Sequence, residues 1–442
     1  MRIVPSTNTR AVNALLARRA SRDPRVERRV ARIVEAVRRR GDAALFAFAR
    51  RFDGLDGPVE VSARDMRRAA DDLEPDVRSA LRTAARHIES VAAKQVPRPW
   101  TVSPSPGITI TQRPSPLDRV GCYVPGGRFP LPSSLLMTAI PAAVAGVREI
   151  IAVCPRVDRT VMAAARVAGV TRLLRLGGAH AIAALAYGTR SVPRVDKIVG
   201  PGNAYVAAAK ALVATDCAID FFAGPSEIAV LSSSGRARWI AADLIAQAEH
   251  DPDARAIFFT ASARLARAVS AEVQRQMPRI GAARAAVRSN GGIVLTASEE
   301  EAVALCQRMA PEHVVCDSPR MARQLTRAGT IFVGSYSAQA AGDYATGSNH
   351  VLPTSGAAAA RGGLSAADFV RVSSVQRLTH AGLRRIAPAV VALAEAEGLT
   401  AHAESIRIRL EKQPIQPRSR KLAARAQREL AGRGGAAPGQ TK

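Results

Sequence analysis

Side chains that could bind a metal ion occur near the end of a helical segment, Asp243-Leu-Ile-Ala-Gln-Ala-Glu-His250, which follows a Ser-Ser-Ser-Gly turn. Its apolar residues recur at helical spacing, which predicts about three helical turns. Gln247 and His250 then lie on one face, with Asp243 one turn earlier on the same side. That face offers two ligand atoms to a metal ion, although an isolated Gln-x-x-His pair is more often just the polar end of a helix.

An adjacent carboxylic acid and imidazole occur in Ala310-Pro-Glu-His313, at the entrance to a strand-like run. Neighbours in extended backbone face opposite ways, so Glu312 and His313 reach one substrate only if the chain turns there, as Pro311 permits. Histidine titrates near neutrality, and shielding can raise the pKa of a glutamate. The pair therefore suits general acid–base chemistry.

Other polar clusters lie at strand ends or in glycine-rich segments, and each alone also fits a turn, a cap or a packing role. The segment from Gly200 follows a strand and opens a helix, where backbone amides can bind a phosphate, but Tyr205 replaces the last glycine of a dinucleotide motif. With Gln247 and Asp343, two histidines of these clusters would complete an N/O site suited to zinc. The clusters are Gly121-Cys-Tyr-Val-Pro-Gly-Gly127, Gly200-Pro-Gly-Asn-Ala-Tyr205, Ala223-Gly-Pro-Ser-Glu227, the Asp343-bearing loop of residues 342–365, and Glu397-Gly-Leu-Thr-Ala-His402.

The elements that must position these residues alternate between short apolar runs and helical windows. Such alternation predicts parallel strands joined by crossover helices, with ligands bound at the carboxyl ends of the strands. The expected fold class is α/β, with two Rossmann-like open α/β lobes, N-terminal helices and a C-terminal helical segment. The expected regions are 1–118 (helices and first strands), 119–225 (first lobe), 226–365 (second lobe), 366–412 (C-terminal helices) and 413–442 (a basic, disordered tail).

Composition indicates a globular protein of 442 residues, with 47% hydrophobic and 23% charged residues, large enough for two or more lobes. No apolar run is long enough to span a bilayer and the amino terminus lacks a secretory signal, so we expect a cytoplasmic location and no membrane partner. The five cysteines show no Cys-x-x-Cys spacing, which predicts reduced, buried thiols.

A formal charge of +26 raises the possibility of nucleic-acid binding. However, the basic residues are spread along the chain and are almost all arginine in an alanine-rich background, which is typical of compositional bias. No zinc finger, RNP-type strand or basic zipper accompanies the charge. We therefore expect no nucleic-acid partner; the alternative is a basic nucleic-acid-binding protein that keeps a degenerate enzyme fold.

Taken together, the motifs closely resemble the histidinol dehydrogenase family, in that family's order and spacing, over roughly residues 25–411. The resemblance implies a zinc-dependent homodimer that oxidises L-histidinol to L-histidine through L-histidinal, using NAD twice, in the last steps of histidine biosynthesis. It places NAD on the first lobe, zinc and catalytic residues on the second, and a dimer contact in the C-terminal helices. The alternative is a related zinc and NAD enzyme acting on another small amino or polyhydroxy alcohol.

The resemblance also implies a role for individual residues. His313 matches the base that removes the hydroxyl proton, and Glu312 matches the residue that activates water to hydrate the aldehyde. Zinc would orient the substrate through its imidazole and amino group. The implied zinc ligands are Gln247, His250, Asp343 and His402, with His402 coming from the partner subunit. The implied substrate-binding residues are these four together with Ser226, His313 and Glu397. The implied NAD contacts are Tyr123, His180 and Asn203.

The chain departs from the family's pattern in the neighbourhood of the cofactor and of one loop. His180 stands where the family has glutamine, so one N–H donor remains but the two-way pairing of an amide is lost. Ala357-Ala-Ala-Ala-Arg-Gly362 replaces the usual Thr-Ala-Arg-Phe-Ser-Ser, and Ala338 replaces a proline. The basic tail after Leu410 has no counterpart in the family, and none of the departures affects an implied zinc ligand.

Overall fold

A computed structural model describes residues 1–17, 23–126, 131–221, 224–278 and 281–411. By its internal contacts the chain divides into two units, one of residues 1–98 and 114–371 and the other of residues 99–113 and 372–442. The amino-terminal part of the first unit is mainly helical, as the sequence predicts. Its elements are β1 (Ile3–Pro5), α1 (Thr9–Leu16), α2 (Pro24–Arg40), α3 (Asp42–Phe48), a π-helical turn (Ala49–Asp53), β2 (Glu60–Val61), α4 (Ala63–Asp71) and α5 (Pro75–Gln95).

The first lobe is built on a six-stranded sheet in the order β2-β7-β6-β5-β8-β9. All its strands run parallel except β2, which pairs antiparallel with β7. The chain builds outward from β5 on one side and then returns to add β8 on the other, so a topological switch point lies between β5 and β8. The elements up to this point are β3 (Trp100–Val102), β4 (Ile108–Pro116), β5 (Arg119–Tyr123), α6 (Pro132–Val144), β6 (Glu149–Val153), α7 (Arg159–Val167), β7 (Arg172–Leu174), α8 (Gly178–Tyr187), β8 (Lys197–Val199), α9 (Ala204–Val213) and β9 (Ala218–Ile219).

The second lobe repeats this pattern in a six-stranded parallel sheet in the order β1-β12-β11-β10-β13-β14. The edge strand β1 pairs with β12, a long-range contact for which the sequence carries no local signal. The elements are β10 (Glu227–Leu231), α10 (Ala237–Ala248), β11 (Arg255–Thr260), α11 (Ala263–Gln276), α12 (Ala282–Asn290), β12 (Gly292–Leu295), α13 (Glu299–Met309), β13 (His313–Cys316), α14 (Pro319–Gln324), β14 (Thr330–Val333) and α15 (Gln339–Tyr344).

Helices cover both faces of each sheet, so the strands are buried on both sides. In β6, Ile150 and Ala152 pack into one apolar cluster, whereas Ile151 and Val153 pack into another on the opposite face. Such continuous apolar strands are characteristic of parallel sheets. The prediction of two open α/β lobes is confirmed.

All five cysteines lie in the described ranges and are buried free thiols. Within those ranges, no helix combines the length and the apolar character required to cross a bilayer. The sequence predicted a loop over residues 342–365, but its first residues belong to α15, and a short 3-10 turn (Ala357–Ala359) interrupts it.

The second unit contains most of a three-stranded sheet in the order β15-β4-β3, where β15 is Val370–Leu378. Two helices follow, α16 (His380–Ala396) and α17 (Thr400–Leu410), within the C-terminal helical segment that the sequence predicts. The predicted disordered tail, residues 413–442, lies outside the described residues.

Candidate active site

Glu312 and His313 lie where α13 passes into β13. The helix stops at Ala310, which has the left-handed φ of 48°, and His313 is the first residue of β13. Both side chains are buried, with exposed fractions of 5% for Glu312 and 3% for His313. The turn brings them to one side of the chain, because the Oε2 atom of Glu312 lies 3.7 Å from Nδ1 of His313.

The main chain of Glu227, at the start of β10, holds both of these side chains. Its N–H donates to Oε2 of Glu312 at 2.9 Å, and its carbonyl oxygen lies 3.2 Å from Nδ1 of His313. A carbonyl oxygen can only accept, so Nδ1 carries the proton in this hydrogen bond. In the neutral ring, Nε2 is therefore the nitrogen with a free lone pair.

Burial sets the protonation of the pair. It lowers the pKa of His313 to about 4, so the ring is neutral at physiological pH. Burial also raises the pKa of Glu312 well above the usual range. The nearby carboxylates of Glu227 and Asp343 add to this increase, and the hydrogen bond from the Glu227 N–H partly offsets it. The site thus holds a neutral imidazole beside a carboxyl group that is harder to ionise than in water.

Asp343 is placed by α15 between two imidazoles. Its Oδ1 atom lies 3.6 Å from Nε2 of His313, and its Oδ2 atom lies 3.7 Å from Nε2 of His250. The Gln339 amide donates to Oδ2 at 2.5 Å. The interaction with Asp343 raises the pKa of His250 and outweighs the opposite effect of its partial burial. Burial alone would raise the pKa of Asp343, but the neighbouring histidines outweigh it and lower that pKa.

Gln247 and His250 come from the end of α10, but not from one regular helical face as predicted. The helix ends at Ala248 with Glu249 as its C-cap, so His250 lies beyond it. Gln247 is buried, with 1% of its surface exposed, and its Oε1 atom has no hydrogen-bond partner among the described residues. A buried amide oxygen without a partner is costly unless a further group satisfies it.

Gln247, His250 and Asp343 carry donor atoms that fit a metal ion. Gln247 contributes an oxygen with no partner, His250 a ring nitrogen and Asp343 a carboxylate, which are N and O donors of the kind that zinc accepts. Within the described ranges, no three His, Cys, Asp or Glu side chains are already gathered so that they could hold a metal ion. The described chain therefore offers N and O donors of the kind that zinc accepts, with an amide among them.

This candidate site lies at the amino edge of the second sheet, whereas the strand pattern predicted ligands at the carboxyl ends of the strands. Glu227 and His313 are the first residues of β10 and β13, and Ser226 lies half-buried just before them. The crossover helix α10 runs back along the sheet, and its carboxyl end therefore delivers Gln247 and His250 to the same edge as the strand starts.

Glu397 and His402 belong to the second unit. Glu397 is the C-cap of α16 and His402 lies in the first turn of α17, on either side of Gly398. Both side chains are exposed in the single chain.

The predicted cofactor residues lie around the carboxyl ends of β5, β7 and β8 in the first lobe. The Tyr123 hydroxyl, 3% exposed as a residue, accepts a hydrogen bond from the Gly178 N–H at 3.1 Å. Asn203 is the N-cap of α9, where its Oδ1 atom accepts from the N–H groups of Tyr205 and Val206. That use of Oδ1 leaves the amide nitrogen of Asn203 as the group that could donate to a ligand.

His180 is buried in the first turn of α8, with 1% of its surface exposed. Its Nε2 atom lies 2.7 Å from Oδ2 of Asp53, which also accepts the Gly177 N–H at 2.9 Å. Asp53 lies 127 positions away from His180 in the chain, so nothing in the sequence signalled this pair.

His350 is a further residue near Asp343, which the sequence placed in a polar cluster without assigning it a role. Its Nδ1 atom lies 2.7 Å from the main-chain oxygen of Asp343, and its Nε2 atom lies 3.4 Å from Oγ of Ser134. Burial lowers its pKa. The available signal was its place in the same glycine-rich segment as Asp343.

Comparison with known proteins gives one consistent result. A sequence model of the family described as histidinol dehydrogenase matches residues 16–410. A histidinol dehydrogenase from Thermus thermophilus is 48% identical over 408 residues, which is 90% of this chain and 98% of that protein. One from Oceanobacillus iheyensis is 42% identical over 403 residues, covering 88% and 94%.

Structure comparison agrees. The crystal structure of histidinol dehydrogenase from Elizabethkingia anophelis has a TM-score of 0.88 and 30% sequence identity, covering 93% of this chain and 98% of that one. The chain therefore belongs to the histidinol dehydrogenase family of oxidoreductases, which oxidise histidinol in histidine biosynthesis.

Proposed function

We propose that this protein is a zinc-dependent, NAD-linked histidinol dehydrogenase that converts L-histidinol to L-histidine through L-histidinal in two successive oxidations. The observation that carries the proposal is the state of His313, a neutral imidazole whose Nε2 has a free lone pair and lies 3.6 Å from Asp343. A base in this state can take the proton of a substrate hydroxyl that is held near Asp343.

His313 and Glu312 divide the proton transfers between them. In each oxidation, His313 accepts a hydroxyl proton at Nε2 while the substrate carbon loses a hydride. Between the oxidations, Glu312 accepts a proton from the water that adds to the aldehyde, which gives the hydrate that is oxidised next. Burial raises the pKa of Glu312, so its carboxylate becomes a stronger base than an exposed one.

Zinc would be held by Gln247, His250 and Asp343, with His402 coming from the partner subunit of a homodimer. When bound, the ion supplies a fixed attachment point for the imidazole and amino groups of the substrate. The unpartnered Oε1 of Gln247 supports this assignment, because a metal ligand would satisfy that oxygen. Ser226, beside Glu227, and Glu397, beside His402 in sequence, complete the proposed substrate site.

NAD would bind at the carboxyl edge of the first lobe, near Tyr123 and Asn203. When bound, it accepts the hydride in each oxidation. The topological switch point between β5 and β8 supports this position, since dinucleotides bind at such points in open α/β sheets. His180 is buried against Asp53, which supports an indirect contribution through the start of α8. A cytoplasmic location remains part of the proposal.

The test is NADH formation by the zinc-loaded protein with L-histidinol as substrate. The proposal requires two NADH for each histidinol consumed and L-histidine as the product, with L-histidinal accepted as a substrate in its own right. Turnover of another amino or polyhydroxy alcohol in the absence of any with histidinol would favour the related dehydrogenase instead.

A further inference from the structure

Gly200, at the end of β8, has both of its main-chain polar groups held by side chains. Its N–H donates to Oδ2 of Asp220 at 2.8 Å, and its carbonyl oxygen accepts from Nζ of Lys210 at 3.0 Å. Lys210 and Asp220 also contact each other directly as an ion pair. Lys210 belongs to α9 and Asp220 follows β9, so two different elements meet at this glycine.

The ion pair is buried, with exposed fractions of 3% for Lys210 and 5% for Asp220. Burying two charges is expensive, and replacing such a pair with neutral residues often costs no stability. Both side chains of this buried pair contact Gly200. We therefore expect the pair to position Gly200 and not only to stabilise the fold.

Gly200 itself tolerates little change. Its φ is +114°, and a Cβ atom at this position would lie 2.2 Å from the main-chain oxygen of Tyr123. The glycine thus packs against the end of β5, and Asn203 caps α9 only a few residues later. The turn of residues 200–203 is confined between β5, Lys210 and Asp220 at the switch point of the sheet.

We propose that Lys210 and Asp220 are positioning residues for the cofactor, because together they fix Gly200 and so preorganise the turn that presents Asn203 and the start of α9. The inference rests on the proposed NAD site. Neither residue touches the cofactor; each acts through Gly200. Preorganisation of this kind strengthens binding because the turn need not be ordered when the ligand arrives.

The experiment measures NADH binding by fluorescence titration in the double variant Lys210→Met/Asp220→Asn, which leaves no buried unpaired charge. We expect its Kd for NADH to rise about ten- to a hundredfold, because methionine removes the ammonium donor to Gly200 and asparagine replaces a charged acceptor with a neutral one. Zinc content and the Kd for histidinol should stay unchanged, and kcat at saturating NAD should fall far less than the affinity for NAD. A general loss of structure would disturb all four quantities together.

The matched control is Arg119→Met/Glu149→Gln, which removes an ion pair of 2.6 Å at the opposite, amino edge of the same sheet. It should bind NADH as the wild type does. An unchanged Kd for NADH in the folded, zinc-loaded Lys210→Met/Asp220→Asn protein would overturn the inference. Failure of the wild type to bind NADH would instead overturn the proposed cofactor.

Hydrogen exchange in the wild type decides the question if the double variant does not fold. In the zinc-loaded protein without cofactor, the Gly200 amide should exchange slowly because Asp220 accepts its hydrogen bond. Rapid exchange there would mean that the turn is not preorganised, and would overturn the inference. The conservative variant Lys210→Arg, which keeps the charge and its donors, should retain most of the NADH affinity.

Discussion

The Nδ1 atom of His313 lies 3.2 Å from the main-chain oxygen of Glu227, and this contact determines which ring nitrogen carries the proton. The donor comes from the first residue of β13 and the acceptor from the first residue of the neighbouring strand β10. The register pairs Ile228 with His313, so the tautomer is enforced by the sheet itself. The result is a base that faces Asp343 with a free lone pair.

Replacing His313 with alanine should lower kcat for histidinol oxidation by about 10²- to 10⁴-fold, the usual contribution of a positioned general base. Zinc content should stay at the wild-type level, because His313 is not one of the proposed ligands. Steady-state NADH formation and metal analysis would measure both. His380→Ala is the control, because His380 is exposed on the second unit. A His313→Ala enzyme with nearly normal kcat would remove His313 from the mechanism.

Replacing Gln247 with leucine should have opposite effects on zinc binding and on stability without zinc. The variant should lose zinc, because an amide ligand is gone. The free energy of unfolding of the metal-free variant should exceed that of the metal-free wild type by about 1 kcal/mol or more. The reason is that a buried oxygen without a partner is removed.

His250→Ala provides the comparison for Gln247→Leu. It should also lose zinc but gain no stability, since the His250 side chain is 44% exposed. Metal analysis, and urea unfolding with and without a chelator, would compare the two variants with the wild type. Full zinc occupancy in Gln247→Leu would show that the amide is not a ligand.

Much of the fold could be predicted from the sequence, because the apolar strands of both lobes are continuous and local. The pairing of Ile3–Pro5 with β12 could not be, since a strand of three residues has no periodicity and its partner is far along the chain. The sequence placed Glu312 and His313 at a strand entrance, but it did not place Gln247 and His250 at the same edge of the sheet. Motifs at strand ends do not say which edge of the sheet they occupy until the path of α10 is known.

The site itself was predictable only as a set of motifs. Spacing identified Gln247 and His250, and the glycine-rich loop made Asp343 a candidate ligand, but only the family resemblance joined them to His402 as one ligand set. No rule of sequence spacing connects Asp53 with His180 or Lys210 with Asp220, so these two contacts could not be predicted. His350 was among the histidines of the polar clusters but received no role, because its contact with the main chain of Asp343 is visible only in the structure.

A double-mutant cycle on His180 and Asp53 should give a coupling energy of about 1–3 kcal/mol in thermal or urea unfolding. The reason is that both side chains are buried and joined at 2.7 Å, so truncating either leaves the other without its partner. His180→Ala should therefore destabilise the protein, and Asp53→Ala should cost less once His180 is gone, because only the hydrogen bond from the Gly177 N–H then remains. Strictly additive effects would mean that the pair makes no net contribution.

Asp243→Asn should stabilise the protein at neutral pH but not in acid. Burial raises the pKa of Asp243 from 3.8 to about 6. The folded state therefore binds a proton more tightly than the unfolded state between these values, and the stability contributed by this proton is lost as the pH rises through about 6. The loss amounts to at most about 3 kcal/mol, and asparagine avoids it because it cannot ionise.

The measurement for Asp243→Asn is urea unfolding across this pH range in metal-free protein, so that pH-dependent zinc binding does not contribute. The difference in the free energy of unfolding between the variant and the wild type should be smallest near pH 3.8 and should reach its full size above pH 6. Asp253→Asn is the control, because Asp253 is exposed. Its free energy of unfolding should differ from that of the wild type by the same amount at every pH. If Asp243→Asn also runs parallel to the wild type, Asp243 ionises in the folded protein as readily as in the unfolded chain, and burial does not shift its pKa.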